Sequence, residues 1–202
     1  IGAHVGKKLG IPGEDDYEGF LDAVTFLRAV NLEKPKKPGE KVIVIGGGNS
    51  AIDAARTALR LGSEVNIVYR RTRQEMPAND NEIAEAEEEG VNIHYLAAPV
   101  KIIGKNGKVT GLECTKMKLG ELDESGRARP ISIKKSEFII EADVIIPAIS
   151  QQPDLSFLPK DHNIDISKWN TFAADKNTMA TNIPGIFAGG DAVTGPNTVI
   201  DA

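Results

Sequence analysis

Three consecutive glycines and the residues after them form the part of the sequence best suited to chemistry. Gly46-Gly47-Gly48 precedes an Asn-Ser-Ala run, which gives the spacing Gly-x-Gly-x-x-Ala. The first glycine permits a tight turn, and the third lets a ligand approach the backbone where a Cβ would obstruct it. If a helix begins here, its free amides and its dipole favour a pyrophosphate. The predicted dinucleotide-binding residues are Gly46, Gly48, Asn49, Ser50 and Ala51.

The residues on either side of the glycines have the hydrophobic patterns of a strand and a helix. Residues 42–45 are an uninterrupted apolar run, typical of a strand buried on both faces of a parallel sheet. After the glycines, apolar residues recur at helical spacing, and a second strand is expected at 64–69, which completes a βαβ unit. This context favours a dinucleotide site over a serine nucleophile elbow, because position 52 is Ile where the elbow requires Gly.

An arginine-rich turn follows the second expected strand. Arg70, Arg71 and Arg73 occupy the region where an NAD site carries an acidic residue for the ribose, and no carboxylate occurs before Glu75. A guanidinium group can bind phosphate oxygens in a bidentate manner. The turn therefore predicts NADPH rather than NADH, with Arg70 and Arg71 on the 2′-phosphate and Arg73 as a further contact. The alternative is a solvated basic turn without a ligand.

Composition limits the function classes without selecting one. The 202 residues carry 24 Lys and Arg against 29 Asp and Glu, a formal net charge of −5, which argues against a nucleic-acid partner. No apolar run has the length of a transmembrane helix and no signal-peptide pattern is seen, so no membrane partner is expected. Cys114 is the single cysteine and the three histidines are scattered, so neither a disulfide nor a metal site is predicted. These features fit a cytoplasmic protein.

Further elements are predicted along the chain. They are a short helix within 15–30, a proline-containing linker at 34–39, a helix at 79–89 ended by Gly90, a strand at 92–96 and a buried strand at 143–149. Between residues 100 and 138, short β runs and the turn Asn106-Gly107 are typical of an antiparallel meander.

A second glycine turn lies near the end of the sequence. A short buried strand is expected before Gly189-Gly190-Asp191, and residues 195–198 are expected to begin a helix. An aspartate in this position can hydrogen-bond a polyol hydroxyl, and a helix N-terminus beside it can stabilise negative charge on an electron-accepting ring. The alternative is an ordinary turn with an aspartate cap.

Four passages of the sequence together are typical of one protein family. They are Ile11-Pro-Gly-Glu-Asp15, Val44-Ile-Gly-Gly-Gly-Asn-Ser-Ala51, Tyr69-Arg-Arg-Thr-Arg-Gln-Glu-Met-Pro-Ala78 and Ile186-Phe-Ala-Gly-Gly-Asp-Ala-Val-Thr-Gly-Pro-Asn197. Through them the sequence resembles the pyridine nucleotide-disulfide oxidoreductases, and among these the glutamate synthase small (β) subunit type. The resemblance implies hydride transfer from NADPH to FAD and onward electron transfer to iron–sulfur centres. It also implies a large-subunit or ferredoxin-type electron acceptor.

The same resemblance implies residues for the flavin. Ile149 and Ser150 match the family's Ala-Ile-Gly crossing between domains, although Ser150 stands where the family has glycine. No side chain is expected to act as an acid or base. The residues that match the family's flavin-binding passage are Gly190, Asp191, which matches the residue that holds the ribityl chain, and Thr198 and Val199, near the isoalloxazine.

The expected fold class is α/β, with a three-layer Rossmann-like NAD(P)-binding domain, built from a parallel sheet and a β-meander, and flanking pieces of an FAD-binding domain. Residues 1–36 are expected to leave the FAD domain, 37–150 to form the NADPH-binding domain, and 151–202 to return to the FAD domain. In the family the FAD domain has a Gly-x-Gly-x-x-Gly motif of its own, whereas this sequence contains only one motif of that kind, at Gly46, and no cysteine cluster for iron–sulfur ligation. The sequence is therefore interpreted as a fragment that lacks tightly bound FAD and activity of its own, with the iron–sulfur cluster outside it. The alternatives are a nucleotide-binding module without catalysis, or a related NADPH:ferredoxin-type oxidoreductase.

Overall fold

The apolar run at 42–45 lies inside a parallel sheet, as the sequence predicts. The computed structural model describes residues 2–32, 35–123, 126–197 and 200, and the chain divides into a larger unit, Lys8–Ile149, and a smaller unit, Ile1–Lys7 with Ser150–Ala202. The helices are α1 (Ala23–Leu32), α2 (Asn49–Arg60), α3 (Asp80–Glu89) and α4 (Asp191–Thr194). The strands are β1 (Ala3–Gly6), β2 (Lys41–Ile45), β3 (Glu64–Tyr69), β4 (Asn92–Tyr95), β5 (Ala97–Lys105), β6 (Lys108–Leu122), β7 (Ala128–Glu141), β8 (Val144–Pro147) and β9 (Gln151–Pro153).

The parallel sheet of the larger unit has the strand order β4-β3-β2-β8. Ile45 at the end of β2 pairs with Val68 of β3 and with Pro147 of β8, so three strands end at one edge of the sheet. Because β2 is central, its apolar residues are covered on both faces, which explains why the run is continuous rather than alternating. The predicted βαβ unit, formed by β2, α2 and β3, is confirmed.

Two apolar cores lie on opposite faces of this sheet. On one face Val42 and Val44 pack with buried residues of α1, α2 and α3, among them Ile52 and Ile83. On the other face Ile43 and its neighbours pack with residues of the meander strands β5, β6 and β7. Alternate residues of one strand therefore serve two cores, and the three-layer α/β fold is confirmed.

The meander has the order β5-β6-β7 with antiparallel pairing, as predicted. Its first turn has positive φ at both central residues, 55° at Asn106 and 77° at Gly107, which is the conformation that an Asn-Gly hairpin turn adopts. Cys114 of β6 is completely buried, and this burial raises the pKa of its thiol to about 12. The thiol is therefore inert and structural.

The helix expected within 15–30 begins only at Ala23, so the first half of that prediction is wrong. The residues before it form turns, and two isolated bridges pair Glu18 with Lys108 and Phe20 with Ile145. This path places an aromatic ring, that of Tyr17, against Gly104, where a Cβ would lie 2.3 Å from the ring. The rings of Tyr17 and Phe20 are partly buried and pack against the meander core, and this packing outweighs helix formation. Residues 8–32, expected from the sequence to belong to the flanking segment 1–36, therefore lie in the larger unit. The assignment of the FAD and NADPH domains stays a prediction.

The smaller unit has little regular structure. Its antiparallel pair is β1 with β9, and its one helix in the described residues is the single turn α4. The short buried strand expected near 186–188 is not formed there: Phe187 makes one bridge, to Ala180, and its side chain is 65% exposed. Within the described ranges, neither unit has a helix long and apolar enough to cross a membrane.

Candidate functional site

The predicted glycine turn lies at the carboxyl edge of the parallel sheet. The amide of Gly46 donates to the carbonyl of Val68 (3.1 Å), and the amide of Ala148 donates to the carbonyl of Ile45 (2.8 Å). The turn is thereby fixed between the ends of β3 and β8. In open α/β sheets this is the edge where ligands bind.

Two of the three glycines are required by the protein's own packing. Gly46 has a φ of +148°, and a Cβ there would lie 2.4 Å from the carbonyl oxygen of Ala148. A Cβ on Gly47 would lie 2.5 Å from the ring of Tyr69. Any side chain at either position would force backbone or aromatic atoms to move, so the turn needs glycine there even without a ligand.

Gly48 differs from its two neighbours because nothing in the packing requires it. Its φ of −93° suits any residue, and the nearest atom to an added Cβ would be Cγ of Pro77, at 3.8 Å. The space in front of Gly48 is therefore open. A Cβ would occupy the place that a bound ligand would need, so the turn forms a cradle beside the N-terminus of α2.

The N-terminus of α2 offers donors to that open space. No side chain caps this helix, and the carbonyl of Gly48 accepts from the amides of Ala51 (2.9 Å) and Ile52 (3.2 Å). Within the described part of the chain, no hydrogen bond is made to the amides of Asn49 or Ser50. Two free amides and the positive end of a 12-residue helix fit an anionic group such as a pyrophosphate.

The segment after the arginines is tied to the glycine turn. The side-chain oxygen of Asn49 accepts from the amide of Asn79 (3.1 Å), and the carbonyl of Gly47 accepts from the amide of Ala78 (3.1 Å). Asn49 is thus also a structural residue, which its place in the motif did not indicate. Ser50 lies in the first turn of α2 and Ala51 is fully buried behind it.

The three arginines of the turn have different environments, and Arg70 and Arg71, which the sequence predicts to share one role, differ most. Arg70 is exposed and makes no hydrogen bond or ion pair with the residues that the structure describes. Arg73 is paired with Glu87 and donates to the carbonyl of Asp80 (3.4 Å). Arg71 is only 4% exposed and its guanidinium is used inside the fold. Arg70 is therefore the arginine best placed to reach a ligand.

A capping box that the sequence analysis did not use holds the arginine turn. The amide and hydroxyl of Thr72 donate to one carboxylate oxygen of Glu75, at 3.0 and 2.5 Å. These hydrogen bonds, together with the positive charge of Arg71, hold the pKa of Glu75 below its usual value. The hydroxyl of Tyr69 donates to the carbonyl of Glu75 (2.6 Å). The pattern Thr-x-x-Glu is the sequence signal that could have identified this box.

A cavity of about 310 Å³ lies between the arginine turn and the end of the β6–β7 hairpin. Pro77 lines this cavity and is also the residue nearest to the open space at Gly48. The residues lining the cavity are Gln74, Glu75, Met76, Pro77, Leu122, Gly126, Arg127 and Ala128.

The predicted crossing residues lie where the two units meet in sequence. Ile149 is the last residue of the larger unit and Ser150 the first of the second segment of the smaller unit. Ser150 has a φ of +133°, a conformation that strains a residue with a Cβ and that glycine adopts freely. The backbone at 150 is therefore of the kind that the family's glycine would provide.

The predicted flavin residues are only partly within the described part of the chain. Gly190 has a φ of +60° and precedes α4. The carboxylate of Asp191 accepts from the amide of Asn197 (3.1 Å). Thr198 and Val199 lie outside the described residues. The described residues contain no group of three or more His, Cys, Asp or Glu side chains placed to hold a metal ion.

Comparison with known proteins adds to this geometry. The chain is 47% identical to the NADP(+)-dependent formate dehydrogenase subunit beta of Moorella thermoacetica, over all of this chain and 29% of that protein. It is 46% identical to the NADPH-Fe(3+) oxidoreductase subunit beta of Geobacter sulfurreducens, over 98% of this chain and 33% of that protein. It is 36% identical to the glutamate synthase [NADPH] small chain of Escherichia coli, over 100% of this chain and 46% of that protein. The chain thus spans less than half the length of these relatives.

Among solved structures, the fold is similar to that of Mycobacterium tuberculosis FprA in complex with NADPH. The TM-score is 0.78 at 20% sequence identity, over 99% of this chain and 58% of that one, a likeness that concerns the fold alone. The family model described as pyridine nucleotide-disulphide oxidoreductase matches residues 1–202. The resemblance seen in the four sequence passages is confirmed, and the chain belongs to the pyridine nucleotide-disulphide oxidoreductase family.

Proposed function

We propose that this chain is the NADPH-binding part of a flavin-dependent oxidoreductase. The observation that carries the proposal is the cradle at Gly48, where the fold leaves open the position of a Cβ beside two free helix amides. The larger unit has no packing reason for glycine there. A ligand with a pyrophosphate accounts for it.

The residues of the larger unit have separate roles in this proposal. The amides of Asn49 and Ser50 bind the pyrophosphate, and Gly48 allows its approach. Gly46 and Ala51 position the turn and the helix. Arg70 binds the 2′-phosphate of NADPH, because it is exposed at the end of β3 and its guanidinium has no partner among the described residues. Arg73 adds positive charge nearby.

The residues of the smaller unit fit a flavin polyol. Among the described residues, no atom lies within 4 Å of a Cβ added at Gly189, so this turn also leaves room for a ligand. Asp191 follows it with a carboxylate that can accept from a hydroxyl. We assign Gly190 and Asp191, with Thr198 and Val199, to FAD, and Ile149 and Ser150 to the family's crossing between domains. FAD, when bound, would supply the chemistry of accepting a hydride from NADPH and releasing its electrons one at a time. The protein binds and orients both molecules, and no side chain is assigned as acid or base.

The electron acceptor is proposed to be another subunit or protein. The relatives are named as a beta subunit of a formate dehydrogenase, a beta subunit of an Fe(3+) oxidoreductase and a small chain of glutamate synthase. A glutamate synthase small-subunit type, passing electrons to iron–sulfur centres held outside this chain, is the first candidate. The 47% identity to the formate dehydrogenase subunit favours a second, in which the partner is a different electron-transfer subunit or a ferredoxin-type protein.

Calorimetric titration of the purified protein with NADPH and NADH tests the cofactor assignment. Arg70→Ala should weaken NADPH binding about tenfold, equivalent to about 1.4 kcal/mol, and leave NADH binding unchanged, because only NADPH has the 2′-phosphate. Arg28→Ala is the matched control: Arg28 is also exposed, lies on α1, and its loss changes the net charge equally. Equal losses of NADPH and NADH affinity in Arg70→Ala would contradict the assignment.

A further inference from the structure

We propose that Arg71 is a positioning residue for cofactor specificity, which acts by anchoring the arginine turn to the end of the β6–β7 hairpin rather than by contacting phosphate. This inference rests on the proposed function, since it concerns how Arg70 is aimed at the 2′-phosphate. The sequence suggested that Arg70 and Arg71 act alike on the phosphate. Their environments in the structure separate the two roles.

The guanidinium of Arg71 joins both strands of the hairpin. Its Nη2 donates to Oδ2 of Asp123 at 2.7 Å, and its Nε donates to the carbonyl of Ala128 at 2.7 Å. Asp123 directly follows β6 and Ala128 begins β7. The planar guanidinium of Arg71 therefore connects the arginine turn to both strands at the end of the β6–β7 hairpin.

Because Arg71 is buried, its guanidinium remains bound to these partners. Its side chain is 4% exposed and that of Asp123 is 23% exposed. A buried guanidinium that abandoned its carboxylate to reach a ligand would leave an uncompensated charge behind, at considerable cost. Arg71 is consequently fixed in the fold and is not available as a second phosphate ligand.

The backbone of Arg71 is anchored as firmly as its side chain. The amide of Leu96 donates to the carbonyl of Arg71 (3.0 Å), and the carbonyl of Leu96 accepts from the amide of Met117 (2.7 Å). On the other side of Arg70, the ring of Tyr69 fills the space above Gly47 and its hydroxyl bonds Glu75.

Arg70 therefore lies between two immobilised residues. The chain bends at residues 70 and 71 after β3 ends, and Tyr69 and Arg71 are buried on either side of the exposed Arg70. With both neighbours held inward, the side chain of Arg70 is left on the outside of the turn. The anchor at Arg71 should thus set the direction of Arg70, and through it the preference for a 2′-phosphate.

The decisive variant is Asp123→Asn, which keeps the size of the side chain and removes its charge. If Arg71 only positions Arg70, this change loosens the turn and weakens NADPH binding roughly three- to tenfold, while NADH binding changes less than about twofold. In an Arg70→Ala background the effect of Asp123→Asn should vanish, because there is no longer an arginine to position. Affinities for both cofactors and the melting temperature are measured for all four proteins.

Each other outcome overturns the inference. If Arg71 contacts the phosphate directly, Asp123→Asn frees its guanidinium, and NADPH binds as tightly as before or more tightly. If the ion pair is merely structural, NADPH and NADH lose affinity equally or neither changes. An Arg70→Ala protein with unaltered preference for NADPH would instead refute the assignment of Arg70 to the 2′-phosphate. Absence of NADPH binding by the unsubstituted protein would refute the proposed function, and both results are distinct from the others.

The ion pair between Lys41 and Glu141 provides the matched control. Its two side chains are 2.6 Å apart, and Glu141 ends the same strand, β7, that Ala128 begins. Glu141→Gln should leave the NADPH to NADH affinity ratio unchanged. A shift of that ratio equal to the one in Asp123→Asn would also overturn the inference.

Discussion

The two glycine turns of this chain look alike in sequence and differ in how the fold uses them. The first, Gly46-Gly47-Gly48, leads from a central strand into a 12-residue helix, and two of its glycines touch backbone or ring atoms that leave no room for a Cβ. The second, Gly189-Gly190, leads into a four-residue helix, and Gly189 has open space around it. Only the first turn can be justified by packing among the described residues.

This difference separates two reasons for which a sequence carries glycine. A glycine that a neighbouring atom requires is needed for folding, and its replacement costs stability. A glycine with open space in front of it costs little to replace in the free protein, and its use lies in what approaches it. Gly48 is of the second kind although it adjoins two of the first.

The largest effect is expected for Gly46→Ala. The substitution places a Cβ 2.4 Å from the carbonyl oxygen of Ala148 and imposes a φ of +148° on a residue with a side chain. We expect the free energy of unfolding to fall by on the order of 3 kcal/mol or more, measured by denaturant titration.

Gly62→Ala is the control for backbone strain alone. Gly62 has a φ of +94° and no atom within 4 Å of an added Cβ, so the loss should be only about 1 kcal/mol. If Gly46→Ala destabilises the protein no more than Gly62→Ala does, the close approach of Ala148 does not determine the first turn.

Gly48→Ala should separate binding from stability within the same turn. Its Cβ would meet only Pro77, at 3.8 Å, so the free energy of unfolding should stay within about 1 kcal/mol of the original value. NADPH and NADH should both lose about tenfold in affinity by calorimetry, because the pyrophosphate is common to both. Retained affinity for both cofactors would remove the main support for the cradle.

How much of this could be predicted from sequence depends on the range of the interactions involved. The strand at 42–45, the helix after it and the Asn106-Gly107 turn follow from local patterns, and all three are confirmed. The late start of α1 at Ala23 could not be foreseen, because it depends on bridges to Lys108 and Ile145, which lie far away in the sequence.

The roles within the site show the same division. The spacing of Gly46 and Gly48 predicts a turn for a dinucleotide, but only the positions of Ala148 and Pro77 show that the two glycines serve different purposes. Arg70 and Arg71 could not be distinguished by sequence, because the partner of Arg71 comes more than fifty residues later, in a hairpin whose register no local pattern fixes.

Ion pairs join α2, the helix that follows the first glycine turn, to α3, and acid should weaken them. On α2, Arg56 and Arg60 donate to the carboxylate of Glu89 on α3, with nitrogen to oxygen distances of 2.5 and 2.6 Å. These hydrogen bonds lower the pKa of Glu89 from 4.5 to about 2. Because the folded-state pKa is depressed, the stabilisation is complete above the unfolded-state value of about 4.5 and is lost as the pH falls through about 2.

The melting temperature of Glu89→Gln should therefore lie below that of the unsubstituted protein at neutral pH, and the gap should narrow between pH 4.5 and pH 2. Glu88→Gln, at an exposed neighbour on the same helix, changes the net charge equally and should show no such narrowing. A difference in melting temperature that does not depend on pH would mean that the charge of Glu89 contributes nothing to the stability of the helix pair.

The smallest effect is expected for Gly189→Ala in the second turn. In the part of the chain that the structure describes, no atom lies within 4 Å of the added Cβ, so the free energy of unfolding should change by less than about 0.5 kcal/mol in denaturant titrations. Gly185→Ala, with a φ of +83° and equally open surroundings, is the control and should lose about 1 kcal/mol through strain. A loss at 189 as large as that at Gly46 would show that both turns are governed by packing. Unchanged stability combined with weaker FAD binding would instead show that Gly189, like Gly48, is a glycine whose role is to leave room for a ligand.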